Sequence, residues 1–115
     1  MKTSKDDFKA FIKEAEATLD LLSLRDWRVV FFHEDETDCL GWCRSDVEGK
    51  IASVGLCKNW QHSKPTRKEV KRVARHEILH ILLADLTQVG NYRQSTDSDF
   101  STAQHAIIRR LENIL

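Results

Sequence analysis

The chain has 115 residues, 41% of them hydrophobic, which suits one modest core and a single domain spanning residues 1–115. Its 18 basic and 18 acidic side chains cancel, so no global charge draws it to nucleic acid or membrane. The first seven residues are too polar for a secretory signal and no apolar run is long enough to span a bilayer; with three cysteines, an odd number, the expectation is free thiols in a cytoplasmic protein.

In chain order, Phe8, Phe11, Ile12, Ala15, Leu19 and Leu22 recur at three- and four-residue spacing, which predicts an amphipathic helix over residues 5–23. Ser4 is its N-cap, with Asp6 and Asp7 in the first turn. Three short strands follow: residues 27–33, rich in β-branched and aromatic side chains, then 39–44, then 51–57. Short turns between them, the second carrying Gly49, favour a mostly antiparallel sheet. Cys39, Cys43 and Cys57 lack the spacing of a zinc knuckle and read as buried small residues.

Pro65 and the capping-box spacing of Thr66 and Glu69 start a second helix that should run to about Leu86. Its first half is basic, with Lys64, Arg67, Lys68, Lys71, Arg72 and Arg75; its second half is apolar nearly all round, as in a buried central helix. Residues 87–99 read as a polar loop with a turn at Gly90-Asn91. A last helix over 101–114 takes its apolar face from Phe100, Ile107, Ile108, Leu111, Ile114 and Leu115.

The second helix contains His76-Glu77-Ile78-Leu79-His80. Residues i and i+4 share one helix face, so both imidazoles can reach one metal ion, with Glu77 beside them to accept a proton from activated water. Zinc hydrolases use three protein ligands and leave a position open. For the third, helix arithmetic puts Gln104 near the middle of the last helix's apolar face and His105 about 100° round, toward the flank. Geometry therefore favours Gln104, and ligand chemistry favours His105, since imidazole binds zinc far better than a neutral amide. Ser101 and Gln104 also have capping-box spacing, which would occupy Gln104 otherwise. Asp97 and Asp99 are further candidates.

With three strands before it and a helix after it, the His76-Glu77-Ile78-Leu79-His80 run resembles that of the zincin metallopeptidases, and in particular small stand-alone, often phage-encoded, gluzincin-type proteins. Trp27-Arg28-Val29-Val30, the 51–56 strand leading to Trp60, and the tail from His105 to Glu112 add to the likeness. The resemblance implies an α+β fold: N-terminal helix, three-stranded sheet, HExxH helix and C-terminal helix. It implies a Zn2+-dependent peptidase with Glu77 as general base. It also implies a third-ligand glutamate just before His105, where this chain has Gln104. The substrate would be a peptide or protein paired with an edge strand at residues 51–56, and Tyr92, beside Arg93, would stabilise the oxyanion.

Two other readings stay open. A zincin scaffold with a weakened metal site could serve as a non-catalytic binding module, and Gln104 is the residue that motivates this. A closed structural zinc site would need a fourth ligand that the sequence does not offer. The basic helix face from Lys64 to Arg75 is a further surface, for nucleic acid, though such a charge run is more often solvated.

Overall fold

The strand at residues 51–57 is apolar or small on both faces, and this dictates the sheet. In the computed structural model, which describes residues 1–35, 39–91 and 97–114, β1 (Arg28–Glu34), β2 (Gly41–Asp46) and β3 (Ile51–Cys57) form one sheet in the order β1-β3-β2. Ala52, Val54, Gly55, Leu56 and Cys57 are buried, and a strand buried on both faces belongs in the middle. β2 pairs with β3 antiparallel, from Gly41 opposite Leu56 to Asp46 opposite Ile51. β1 pairs with β3 parallel, from Arg28 opposite Ile51 to Glu34 opposite Cys57.

Two expectations are thereby corrected. The sheet is mixed rather than mostly antiparallel, because β1 and β2 are neighbours in sequence but occupy opposite edges. The 51–57 strand is central, paired on both sides, and has no free edge to offer a peptide; the edges belong to β1 and β2.

Four helices complete the α+β fold: α1 (Lys5–Leu21), α2 (Arg67–Leu82), α3 (Ala84–Asn91) and α4 (Asp97–Ile114). Ser4 caps α1 as expected, and the cap is reciprocal: its hydroxyl accepts from the Asp7 N–H while Asp7 accepts from the Ser4 N–H. Thr66 accepts from the Glu69 N–H at 3.2 Å, but the Glu69 carboxylate takes Arg72 at 2.8 Å instead of closing the box. The long helix expected to Leu86 ends at Leu82, and a separate helix, α3, takes residues 84–91, of which 87–91 were expected as loop and turn. The break at Leu83 redirects the chain without a proline or glycine to signal it.

α1 and α2 cover one face of the sheet. Phe11 meets Phe31 edge-on at 6.4 Å, and Phe11, Ala15, Leu19, Val54, Leu56, Trp60, Val70, Ala74 and Ile78 form the core. Removing such area from water contributes about 25 cal/mol per Å2, so each large side chain here is worth roughly 1.5–3 kcal/mol. The opposite sheet face stays open. There Phe32 stacks on Trp42, and Trp42 lies so close over Gly55 that a Cβ at Gly55 would fall 2.1 Å from its ring. On α4, Ile108 is fully buried while Ile107, expected on the same apolar face, is exposed.

The cysteines depart from expectation. Cys39 and Cys57 form a disulfide, and only Cys43 is free. Antiparallel pairing brings the entry to β2 alongside the end of β3, with the Cys57 N–H donating to the Leu40 carbonyl at 3.0 Å, so residues 18 apart in sequence become neighbours. The free-thiol argument for a cytoplasmic location thereby falls. Among the described residues no helix is long and apolar enough to cross a membrane.

Candidate metal centre

The site forms where α2 leaves the sheet and meets α4. Val73 and Glu77 face β2 at Gly41, where an added Cβ would meet Val73 Cγ1 at 2.7 Å, the Gly55 carbonyl at 2.9 Å and Glu77 Oε2 at 3.4 Å. Only a residue without a side chain lets α2 approach β2 this closely. One turn of α2 then presents His76 and His80 together, with ring centroids 5.0 Å apart.

His105 of α4 completes a triangle, 5.8 Å from His76 and 5.0 Å from His80 between ring centroids. Each of the three rings offers a ligand nitrogen, and these lie within 4.8 Å of one another. The last helix explains how. The side chain that seats it on the core is Ile108. At about 100° per residue, Gln104 lies roughly 40° to one side of Ile108, and Glu112 and His105 lie roughly 40° and 60° to the other. The stripe is thus centred on Ile108 rather than Gln104, and its His105 flank is the side that meets α2.

Gln104 is buried and near the cluster but otherwise engaged. Its amide donates to the Thr87 hydroxyl of α3, which in turn donates to the Leu83 carbonyl at 2.9 Å. Ser101 lies within α4, so it does not cap that helix as its spacing suggested, and its carbonyl instead accepts from His105 Nδ1 at 2.8 Å. Tyr92 and Arg93 lie outside the described residues, as do the side chains of Asp97 and Asp99.

Sequence reasoning passed over Glu112. Its carboxylate, with only 10% of the side chain exposed, accepts from His76 Nδ1 and lies 3.9 Å from Arg72. The signal was present: His105 and Glu112 are seven residues apart, two turns along one face. His76 and His105 therefore both spend Nδ1 on an oxygen acceptor, which leaves Nε2 of each as the nitrogen that could take a metal. A carboxylate or carbonyl behind a ligating imidazole fixes the tautomer and raises ligand basicity.

The donor set passes a test of fit for zinc. Tetrahedral zinc with bonds of about 2.0–2.1 Å holds its nitrogens about 3.3 Å apart, and one nitrogen from each ring lies within 4.8 Å of the others here. His80 is ready for this role: burial and the neighbouring His76 and His105 hold its pKa down at about 4, so the ring is neutral at pH 7.

Glu77 is 6% exposed, and among the described residues its carboxyl makes no hydrogen bond. Burial, and then the charge of Glu112, push its pKa up to about 8. The same burial, with Glu77 beside it, pushes the Cys43 thiol up to about 12, so Cys43 is an inert thiol rather than a nucleophile. Glu77 and His80 open onto a cavity of about 570 Å3, whose other walls are Cys43, Ser45 and Asp46 of β2, the turn residues Val47 and Glu48, and Thr87, Gln88 and Gln104.

Two further features lie apart from this centre. His33 stacks on Phe8 at 4.9 Å and contacts the Thr3 hydroxyl at 2.7 Å. The basic face of α2 is partly neutralised, since Arg67 pairs with Asp7, Arg72 with Glu69 and Arg75 with Glu14. Comparison with protein-family models, curated proteins and solved structures finds no match for this chain.

Proposed function

We propose that the chain is a zincin-like, zinc-dependent peptidase in which His76, His80 and His105 hold the metal and Glu77 is the general base. The observation that carries this reading is the convergence of three imidazoles from two helices, one of which, His80, lines a cavity together with the buried Glu77 carboxyl, which makes no hydrogen bond among the described residues. Zinc, when bound, would supply Lewis-acid activation of water and of a carbonyl oxygen.

The chain's own residues account for the rest. Glu112 and the Ser101 carbonyl aim the His76 and His105 rings through Nδ1. Glu77 needs a carboxylate to take a proton, and a dication beside it opposes the burial that otherwise keeps it protonated. Its carboxyl would hold the proton before passing it to the leaving amine. The free edge of β2 borders the cavity, so an extended peptide adding to β2 would run past Glu77.

The binding-module reading drew on Gln104 at the ligand position. Gln104 is tied to Thr87 instead, and His105 stands with the other two imidazoles. The test is zinc content of the purified protein and of His76→Ala, together with cleavage of a broad peptide library by wild type and Glu77→Gln. Equal zinc in both proteins overturns the metal assignment, and an inactive wild type overturns the peptidase.

A further inference from the structure

Beyond Glu77 the cavity wall formed by the described residues is acidic. Asp46, the last residue of β2, and Glu48, in the turn that follows, both line it, and among the described residues no lysine or arginine does. The cations nearest in sequence are turned elsewhere. Lys50 is bound to Asp26 at 2.5 Å, and Arg44 lies on the other sheet face, 5.2 Å over the Trp42 ring. Asp46 receives only a long bond from the Gly49 N–H, at 3.4 Å, and among the described residues Glu48 has no ion-pair partner.

Two features make this wall more than a solvated acidic turn. Glu77, more than nine-tenths buried and without a hydrogen-bond partner among the described residues, opens into the same space. The wall also lies along the free edge of β2. Between Gly41, packed against Glu77, and Asp46 there are five strand steps, about 16 Å. A chain extended along β2 would therefore set a side chain against Asp46 and Glu48 a few residues from the bond facing Glu77. Neutral acceptors on Ser45, Thr87 and Gln88 would complete the surroundings of a cationic group.

Resting on the reading of this cavity as the hydrolytic site, we propose that the substrate carries a lysine or arginine side chain, and that Asp46 and Glu48 select it. Charge-assisted bonds to two exposed carboxylates favour a guanidinium or ammonium, and a glutamate in the same place would meet like charge.

The test uses zinc-loaded Glu77→Gln protein and two labelled peptides of equal length, one with a central lysine–arginine pair and the other with glutamates there. Fluorescence anisotropy at low salt should give about tenfold tighter binding of the basic peptide, and this gap should shrink in 0.5 M salt. Adding Asp46→Lys and Glu48→Lys should reverse the order. The milder Asp46→Asn with Glu48→Gln should bring the two peptides within about twofold of each other. Equal binding of the two peptides, or an order that survives charge reversal in a protein with unchanged circular dichroism and zinc content, overturns the proposal. Cleavage by wild type separates this from the parent reading. If neither peptide is cut but the reversible preference holds, the peptidase fails and the acidic subsite stands. If both are cut equally, the subsite fails and the peptidase stands.

Discussion

Replacing Glu112 tests the centre through a residue that is not itself a ligand. Its carboxylate orients His76 through Nδ1 and is nearly enclosed, with Arg72 at 3.9 Å as a further neighbour. Losing the oxygen acceptor behind a ligating imidazole typically costs 10–100-fold in metal affinity, about 1.4–2.7 kcal/mol. Glu112→Gln keeps the shape and one acceptor oxygen but loses the charge, so we expect about tenfold weaker zinc binding, with Glu112→Ala nearer the hundredfold end. The assay is competition against a chromophoric chelator at pH 7. A second readout is independent of metal. Glu112 is one of the two causes that raise the Glu77 pKa, so in the zinc-free Glu112→Gln protein the Glu77 midpoint should fall below about 8, as followed by carboxyl NMR. Zinc affinity within twofold of wild type in both variants would refute the positioning argument.

Further outcomes follow from the same geometry. His105→Ala should weaken zinc binding by at least about a hundredfold, while Gln104→Ala should change it by less than about threefold, measured by the same competition; the reverse result would restore Gln104 as the ligand. The zinc-free protein should also show an informative pH dependence of stability in urea titrations. Glu77 has a folded pKa raised to about 8, so its contribution favours folding at low pH and is lost as pH rises from the unfolded value toward 8, with a limiting slope of about 1.4 kcal/mol per pH unit. His80, lowered to about 4, acts in the opposite sense between about pH 4 and 6.5. The two oppose each other up to about pH 6.5, and the decline should emerge between pH 6.5 and 8 and vanish in Glu77→Gln. Gly41→Ala forces a methyl against Val73 and the Gly55 carbonyl and should cost about 1–3 kcal/mol in chemical denaturation, with zinc affinity falling as α2 is pushed off β2. Cys39→Ser removes a cross-link between residues 18 apart and should cost about 3 kcal/mol.

Local signals carried much of this architecture. The periodicity of α1, the Ser4 and Thr66 caps and the three strand segments all appear in the structure close to their expected places, because each depends on residues within one or two turns. The pairing of His76 with His80 is local too. What the sequence concealed depends on long-range pairing. The central place of β3 could be inferred from its two-faced burial pattern only by weighing that against strand order. The Cys39–Cys57 bond needs the register of β2 on β3. His105 was weighed against Gln104 on a helix face whose centre, Ile108, is known only once α4 has docked. Glu112 was legible as a two-turn partner of His105, but its acceptor role becomes visible only where α2 and α4 meet.

The three imidazoles come from opposite sides of a long excursion. Residues 81–104, including all of α3, lie between His80 and His105. A metal held by all three would therefore work as a ring closure, removing from the unfolded ensemble the configurations in which α4 wanders from α2, with an entropic gain that grows with the logarithm of loop length. Affinity and docking then become one equilibrium. Part of the intrinsic binding energy is spent fastening α4, and the measured dissociation constant would be weaker than three histidines already fixed in place would give. Chelation should leave the α1–sheet–α2 body largely intact while the 84–114 segment becomes the first to exchange its amide protons and the first to be cut by a protease.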